Sequence, residues 1–185
     1  MIENETLDNL DFNVEKYAEE YENCVFKNCS FSESDVSSIK FMECRFENCD
    51  WSSAKLTDTC FREVAFKNCK MLGLRFEDCN PLLLEFSFDD CVLDFSTFYG
   101  LTIRQTPFVN CSLKEVDFGT ADLTGSVFRN SLLERVVFDR TNLEKVDFRE
   151  AIRFEIDPSI NKLKGALFGR ENLSGLVSHL GIKIR

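Results

Sequence analysis

The sequence predicts an all-β fold, a right-handed quadrilateral parallel β-helix with a short C-terminal α-helix. Two observations predict it. Large apolar residues recur every five residues over most of the chain, and phenylalanine supplies 19 of the 185 residues. Neither an α-helix nor an ordinary strand has a five-residue period. The period therefore indicates a coil in which one apolar shape is placed repeatedly at equivalent positions.

The period runs through the chain in two stretches, 26–76 and 88–148, with mostly small residues two positions before each large one. The registers of the two stretches differ by two residues, so an insertion is predicted near 80–87. Asn80-Pro81 is its natural position, because proline fixes φ and removes a backbone donor. The large apolar residues are Phe26, Phe31, Val36, Phe41, Phe46, Trp51, Leu56, Phe61, Phe66, Met71 and Phe76, then Phe88, Leu93, Phe98, Ile103, Phe108, Leu113, Phe118, Leu123, Phe128, Leu133, Phe138, Leu143 and Phe148.

In the second stretch, phenylalanine recurs every ten residues and leucine or isoleucine fills the alternate positions. If five residues form one side and twenty complete a turn, side chains of one type stack directly. Successive turns would lie about 4.8 Å apart, the spacing of hydrogen-bonded strands. Packing of identical layers would then stabilise the coil. The predicted structural core contains Phe98, Phe108, Phe118, Phe128, Phe138, Phe148, Leu113, Leu123, Leu133 and Leu143.

The nine cysteines are predicted to be reduced core residues. Pairs such as Cys24/Cys29 and Cys44/Cys49 are five residues apart, whereas zinc ligands are commonly separated by two residues. The single histidine, His179, leaves no Cys/His cluster. An odd number of cysteines without a secretion signal fits free thiols that act as small apolar fillers. The sequence therefore predicts no metal and no cofactor.

The composition favours a soluble, cytoplasmic, non-enzymatic protein. The longest apolar runs are too short to span a membrane, and the N-terminus lacks the pattern of a signal peptide. No Gly-rich phosphate loop, His-containing triad or paired metal motif appears, so no catalytic residue is predicted.

The two ends depart from the period and divide the chain into three regions. Residues 1–22, with eight acidic residues and one lysine, are predicted to be an acidic cap, and 23–169 the coil. Residues 170–185 are predicted to be a helix and tail, with Asn172 as N-cap, Gly181 as C-cap and a terminal strand at 182–184. This helix either caps the last coil, joins two chains, or does both. Its apolar face, the predicted dimer interface, contains Leu173, Leu176, Val177 and Leu180.

Several repeats resemble those of the pentapeptide-repeat family, including CRFEN at 44–48, ADLTG at 121–125 and VDFRE at 146–150. The resemblance covers about two-thirds of the chain and implies a pentapeptide-repeat solenoid. The layout is similar to the quinolone-resistance (Qnr) and MfpA-like branch, in which a C-terminal helix closes the coil and pairs two chains tail to tail. Qnr proteins of Gram-negative type carry longer projecting loops, whereas this chain has only the break near 80–82.

Two functions remain open. The first is a protein-interaction scaffold of unassigned partner, which forms a homodimer through its C-terminal helix and binds no nucleic acid directly. The second, implied by the resemblance, is a DNA mimic that binds DNA gyrase or topoisomerase IV and modulates quinolone susceptibility. The net charge of −10 favours mimicry. Its distribution does not, because residues 1–22 hold most of it and 161–185 are basic.

Overall fold

The computed structural model describes residues 1–14, 18–82 and 84–182. The chain is a mostly-β parallel solenoid of about eight turns with a short helical segment at its C-terminal end. The strands are β1 (Ile2–Glu3), β2 (Thr6–Asp8), β3 (Glu20–Glu22), β4 (Val25–Lys27), β5 (Lys40–Met42), β6 (Arg45–Glu47), β7 (Cys60–Arg62), β8 (Val64–Lys67), β9 (Phe86–Asp89), β10 (Pro107–Val109), β11 (Val127–Arg129), β12 (Asp147–Phe148) and β13 (Leu167–Phe168). The 3-10 helices are Phe76–Asp78, Arg170–Leu176 and Ser178–Leu180.

The strands form two parallel sheets, in which each strand pairs with the strand one turn away. One sheet has the order β1-β3-β5-β7, and the other runs from β2 at one end of the molecule to β13 at the other. Phe26 pairs with Phe46, and Phe108 pairs with Phe128, so one turn contains twenty residues. This register aligns equivalent positions of the repeat on successive turns.

The coil begins earlier than the five-residue period indicates. Strands β1 and β2 lie within the acidic residues 1–22 and pair with β3 and β4. The five-residue period does not extend into residues 1–22, which were predicted to be a cap, because the first turn is one residue short: Leu7 pairs with Phe26. Residues 15–17 of the predicted cap lie outside the described residues.

The break between the two stretches is a loop of two extra residues. Phe66 pairs with Phe88, twenty-two positions later. The Asn80 side chain organises the loop, since its Nδ2 donates to Asp58 Oδ1 at 2.8 Å and its Oδ1 accepts from the Leu82 N–H at 3.0 Å. Leu83 lies outside the described residues. Buried Phe86 fills the core beside the loop.

The interior consists of columns of stacked side chains. None of the ten residues of the expected core is more than 6% exposed. The rings of Phe108 and Phe128 are parallel within 2°, with centroids 4.9 Å apart, and those of Phe98 and Phe118 lie at 5.1 Å. Neighbouring columns meet edge to face, as Phe118 and Phe128 do at 74°. Both arrangements are favourable for aromatic rings.

A residue with left-handed backbone conformation turns the chain two positions after most column residues. Asn28, Asn48 and Asn68 have φ values of 52°, 57° and 51°, a region that asparagine tolerates better than most residues. The Nδ2 of Asn68 donates to Asn48 Oδ1 at 2.6 Å, and that of Asn48 donates to Asn28 Oδ1 at 3.4 Å. The side chains thereby join successive corners.

The small inward residues also complete backbone hydrogen bonding. Cys69 Sγ, Ser131 Oγ and Thr141 Oγ1 each donate to the carbonyl of a column phenylalanine one turn earlier, at 3.3, 3.0 and 2.9 Å. A carbonyl oxygen can accept two hydrogen bonds, and that of Phe118 also accepts from the Ala121 N–H at 3.0 Å. These cysteines therefore do more than fill space, which was their predicted role.

All nine cysteines are free thiols. Burial raises the pKa of Cys44 to about 12, so this thiol stays protonated at neutral pH. Cys60, on an outer position of β7, is half-buried.

Replacing Phe118 with alanine should lower the free energy of unfolding by roughly 3–5 kcal/mol, because it leaves a cavity between two stacked rings. Chemical denaturation followed by circular dichroism measures the change. The matched control is Phe95→Ala at a corner where 59% of the side chain is exposed, for which we expect less than about 1 kcal/mol. Equal losses at the two positions would contradict this description of the core.

Candidate protein-interaction surface

The last turn of the coil leaves apolar side chains uncovered. Phe168 stacks on Phe148 with ring centroids 5.3 Å apart, and the two residues pair in register. Phe148 is fully buried, whereas Phe168 is only half-buried. In the neighbouring column, Leu143 is likewise fully buried, whereas Leu163, one turn later, is only half-buried. No further turn lies on these two columns within the described residues.

The helical segment covers the other columns. Gly175 lies against Phe154, so closely that a Cβ atom would come within 2.3 Å of the Phe154 carbonyl oxygen. The Ile156 N–H donates to the Gly175 carbonyl at 2.9 Å. Glycine is therefore required at position 175, and the segment is held against the coil through its backbone.

The predicted C-terminal α-helix is a 3-10 helix in two parts. Its bonds span three residues, as from the Val177 N–H to the Ser174 carbonyl at 3.2 Å. The segment begins at Arg170, so the prediction of Asn172 as N-cap was wrong. The Asn172 side chain instead donates to the carbonyls of Phe148 and Ala151, both at 3.0 Å. These bonds fix the side chain against the coil, and its Oδ1, the atom that an N-cap would use, accepts no hydrogen bond.

Gly181 occupies the C-cap with a φ of 65°, as predicted, because glycine adopts the left-handed conformation readily. Beyond it, Ile182 is not in a strand, and the rest of the predicted terminal strand lies outside the described residues.

The four residues of the expected dimer interface do not share one environment. Leu173 and Leu180 are 47% and 60% exposed. Leu176 and Val177 are half-buried, and Leu176 packs against the core. The exposed apolar end of the molecule, hereafter the C-terminal surface, therefore consists of Leu163, Leu167, Phe168, Leu173, Leu180 and Ile182.

A groove of about 620 Å³ runs between the helical segment and the turns beside it. Three of its charged residues are paired: Arg135 and Arg153 lie 3.0 and 3.5 Å from the Glu134 carboxylate. His179 Nε2 lies 3.7 Å from Asp157 Oδ1. Within the described ranges, no group of three or more His, Cys, Asp or Glu side chains could hold a metal ion.

The sides of the coil carry columns of alternating charge. Lys27 lies 3.6 Å from Glu47, and Lys70 lies 3.3 Å from Asp50, each pair joining successive turns. Arg135 contacts Glu115 in the same way. Exposed ion pairs of this kind contribute little stability individually. They do cancel much of the charge along the sides, so the acidic character is concentrated in the first turn.

In the part of the chain that the structure describes, no helix is long and apolar enough to cross a membrane.

These features define a solenoid repeat protein. A model described as pentapeptide repeat region matches residues 19–82 and 75–148, which together form more than half of the chain. The chain therefore belongs to the pentapeptide-repeat family. No curated protein sequence matches it.

Solved structures similar to this chain include two trypsin-treated variants of QnrB1, a plasmid-mediated fluoroquinolone resistance protein. The first is 17% identical with a TM-score of 0.66, and the match covers 100% of this chain and 97% of that chain. The second is 18% identical with a TM-score of 0.55, and covers 97% and 98%. The predicted resemblance to the Qnr branch is thus confirmed for the fold.

Proposed function

We propose that this protein is a non-enzymatic protein-interaction scaffold built on a right-handed, four-sided coil. The four sides follow from a buried residue at every fifth position and a register of twenty residues. The right hand is supported by the strong preference of crossovers between parallel strands of one sheet. The free thiols fit a reducing compartment, so we propose a cytoplasmic location.

The observation that carries this proposal is the exposure of the C-terminal surface. Leu163 and Phe168 would be fully buried if another layer covered them, as their equivalents one turn earlier are. Exposed apolar surface at the end of a solenoid favours association. A two-fold homodimer places the same patch on both chains and needs no other partner. The proposed first partner is therefore a second copy, docked through the C-terminal surface.

Leu173→Asp combined with Leu180→Asp should convert the dimer into a monomer without unfolding it, because both side chains are exposed. Sedimentation velocity of the intact protein and the variant measures the change, with circular dichroism to verify folding. The matched control places aspartate at Leu82 and Val137, which are 71% and 46% exposed and lie elsewhere. A monomeric intact protein, or a dimer lost only in the control, would refute the interface.

The second candidate function is a Qnr-like DNA mimic that binds gyrase or topoisomerase IV. Two observations favour it, the full-length match of fold to a fluoroquinolone resistance protein and the net charge of −10. The paired charges along the sides weigh against it, because duplex DNA presents about one unpaired negative charge per 1.7 Å of axis. We therefore rank the scaffold first.

A supercoiling assay with purified gyrase separates the two candidates. If the protein is a scaffold for other partners, a tenfold molar excess should neither inhibit supercoiling nor restore it in the presence of a fluoroquinolone. Concentration-dependent inhibition or restoration would establish the second candidate. The Leu173→Asp/Leu180→Asp variant then serves as a control for whether the effect needs the dimer.

A further inference from the structure

The N-terminal end of the coil presents two unpaired strand edges. Strand β1 is the outer strand of its sheet and pairs only with β3 among the described residues. Strand β2 is the outer strand of the larger sheet and pairs only with β4. Both edges lie in the first turn. A C-terminal dimer would leave this end free.

The register shows which backbone groups point out of this end. The Val25 N–H donates to the Glu5 carbonyl of the turn before it, at 2.9 Å. Thr6 occupies the equivalent position one turn earlier, so its N–H points outward. The Lys27 carbonyl accepts from the Asn9 N–H of the turn before it, at 2.9 Å. Asp8 is the equivalent of Lys27 one turn earlier, so the Asp8 carbonyl also points outward. The edge thus offers a donor and an acceptor spaced for an added parallel strand.

The side chains behind this edge are incompletely covered. Ile2 and Leu7 are half-buried, whereas Tyr21 and Phe26, their partners one turn later, are fully buried. A strand added along β2 with an inward apolar residue would extend the Leu7 column by one layer.

The charge at this end selects the partner. Glu3, Glu5, Asp8 and Asp11 lie in no ion pair with any described residue. In later turns, by contrast, several acidic residues are paired with a lysine one turn away, as Glu47 is with Lys27 and Asp50 with Lys70. Like charges exclude pairing with the same end of another copy, and favour a segment rich in lysine or arginine.

We propose that the N-terminal edge binds an extended basic segment of a partner protein, which adds to β2 as a further parallel strand. The outward N–H of Thr6 and the carbonyl of Asp8 supply the backbone bonds. Leu7 supplies the apolar contact, and the four carboxylates of this end supply the preference for a basic sequence. This site is independent of the proposed C-terminal dimer.

The probe is a capped nine-residue peptide in which lysine alternates with valine, titrated against the full-length protein by isothermal calorimetry. We expect saturable binding at low ionic strength, with NMR amide shifts confined to residues 2–11. Replacing the lysines with glutamate should abolish binding. Thr6→Pro should weaken it by about tenfold, because the outward N–H is lost. The fold should survive, since an outer strand tolerates proline where its N–H is unused.

Glu3→Lys with Glu5→Lys should also weaken binding by at least about tenfold, whereas Glu33→Lys with Glu63→Lys, the same charge change elsewhere, should not. Equal loss in the two charge variants would mean nonspecific attraction and overturn the site. Full affinity in folded Thr6→Pro would exclude strand addition, and absence of binding would refute the proposal. Concentration-dependent oligomers with the same amide shifts would make another copy's C-terminal end the occupant, which also overturns it.

Discussion

The structure depends on one constraint, that every turn places its side chains directly on those of the turn before it. A register of twenty residues brings Phe108, Phe128 and Phe148 into one column, with centroids 4.9 and 5.2 Å apart. That separation lies close to the spacing of hydrogen-bonded strands, so ring stacking and strand pairing are satisfied together. Inserted residues would shift every later column unless they left the coil, and the two extra residues of the insertion near 80–87 are accommodated in a loop.

The same constraint determines what the corners require. Most corners need a left-handed residue, and asparagine meets this requirement while bonding to the corner one turn away. Inside several corners, a small thiol or hydroxyl donates to a carbonyl one turn earlier, as Ser131 does to Phe108. The period of five in the sequence therefore reflects three needs: a large apolar side chain for the column, a smaller residue beside it, and a residue that tolerates positive φ.

The sequence was sufficient to predict the columns and the break, because both follow from the spacing of large apolar residues. It was insufficient where the spacing of the large apolar residues changes and no proline or glycine marks the change. The first turn is one residue short. Near the other end, the five-residue period from Phe148 falls on Arg153, but the residue that enters the core is Phe154, one position later. The 3-10 geometry of the helical segment was also missed, since Leu173, Leu176 and Leu180 fit a short α-helix equally well. Gly175 was the available signal, because its close approach to Phe154 fixes the segment on the coil. Leu176 is half-buried because that contact holds the segment on the coil, and the spacing of the leucines alone did not predict this.

A high-resolution crystal structure tests the central claim most directly, because it locates each ring relative to the turns above and below. The account predicts four columns per turn, with Phe118 lying between Phe98 and Phe138 and the chain advancing with a right-handed twist. Three columns per turn, a column of phenylalanine rings facing solvent, or a register other than twenty between Phe108 and Phe128 would contradict it.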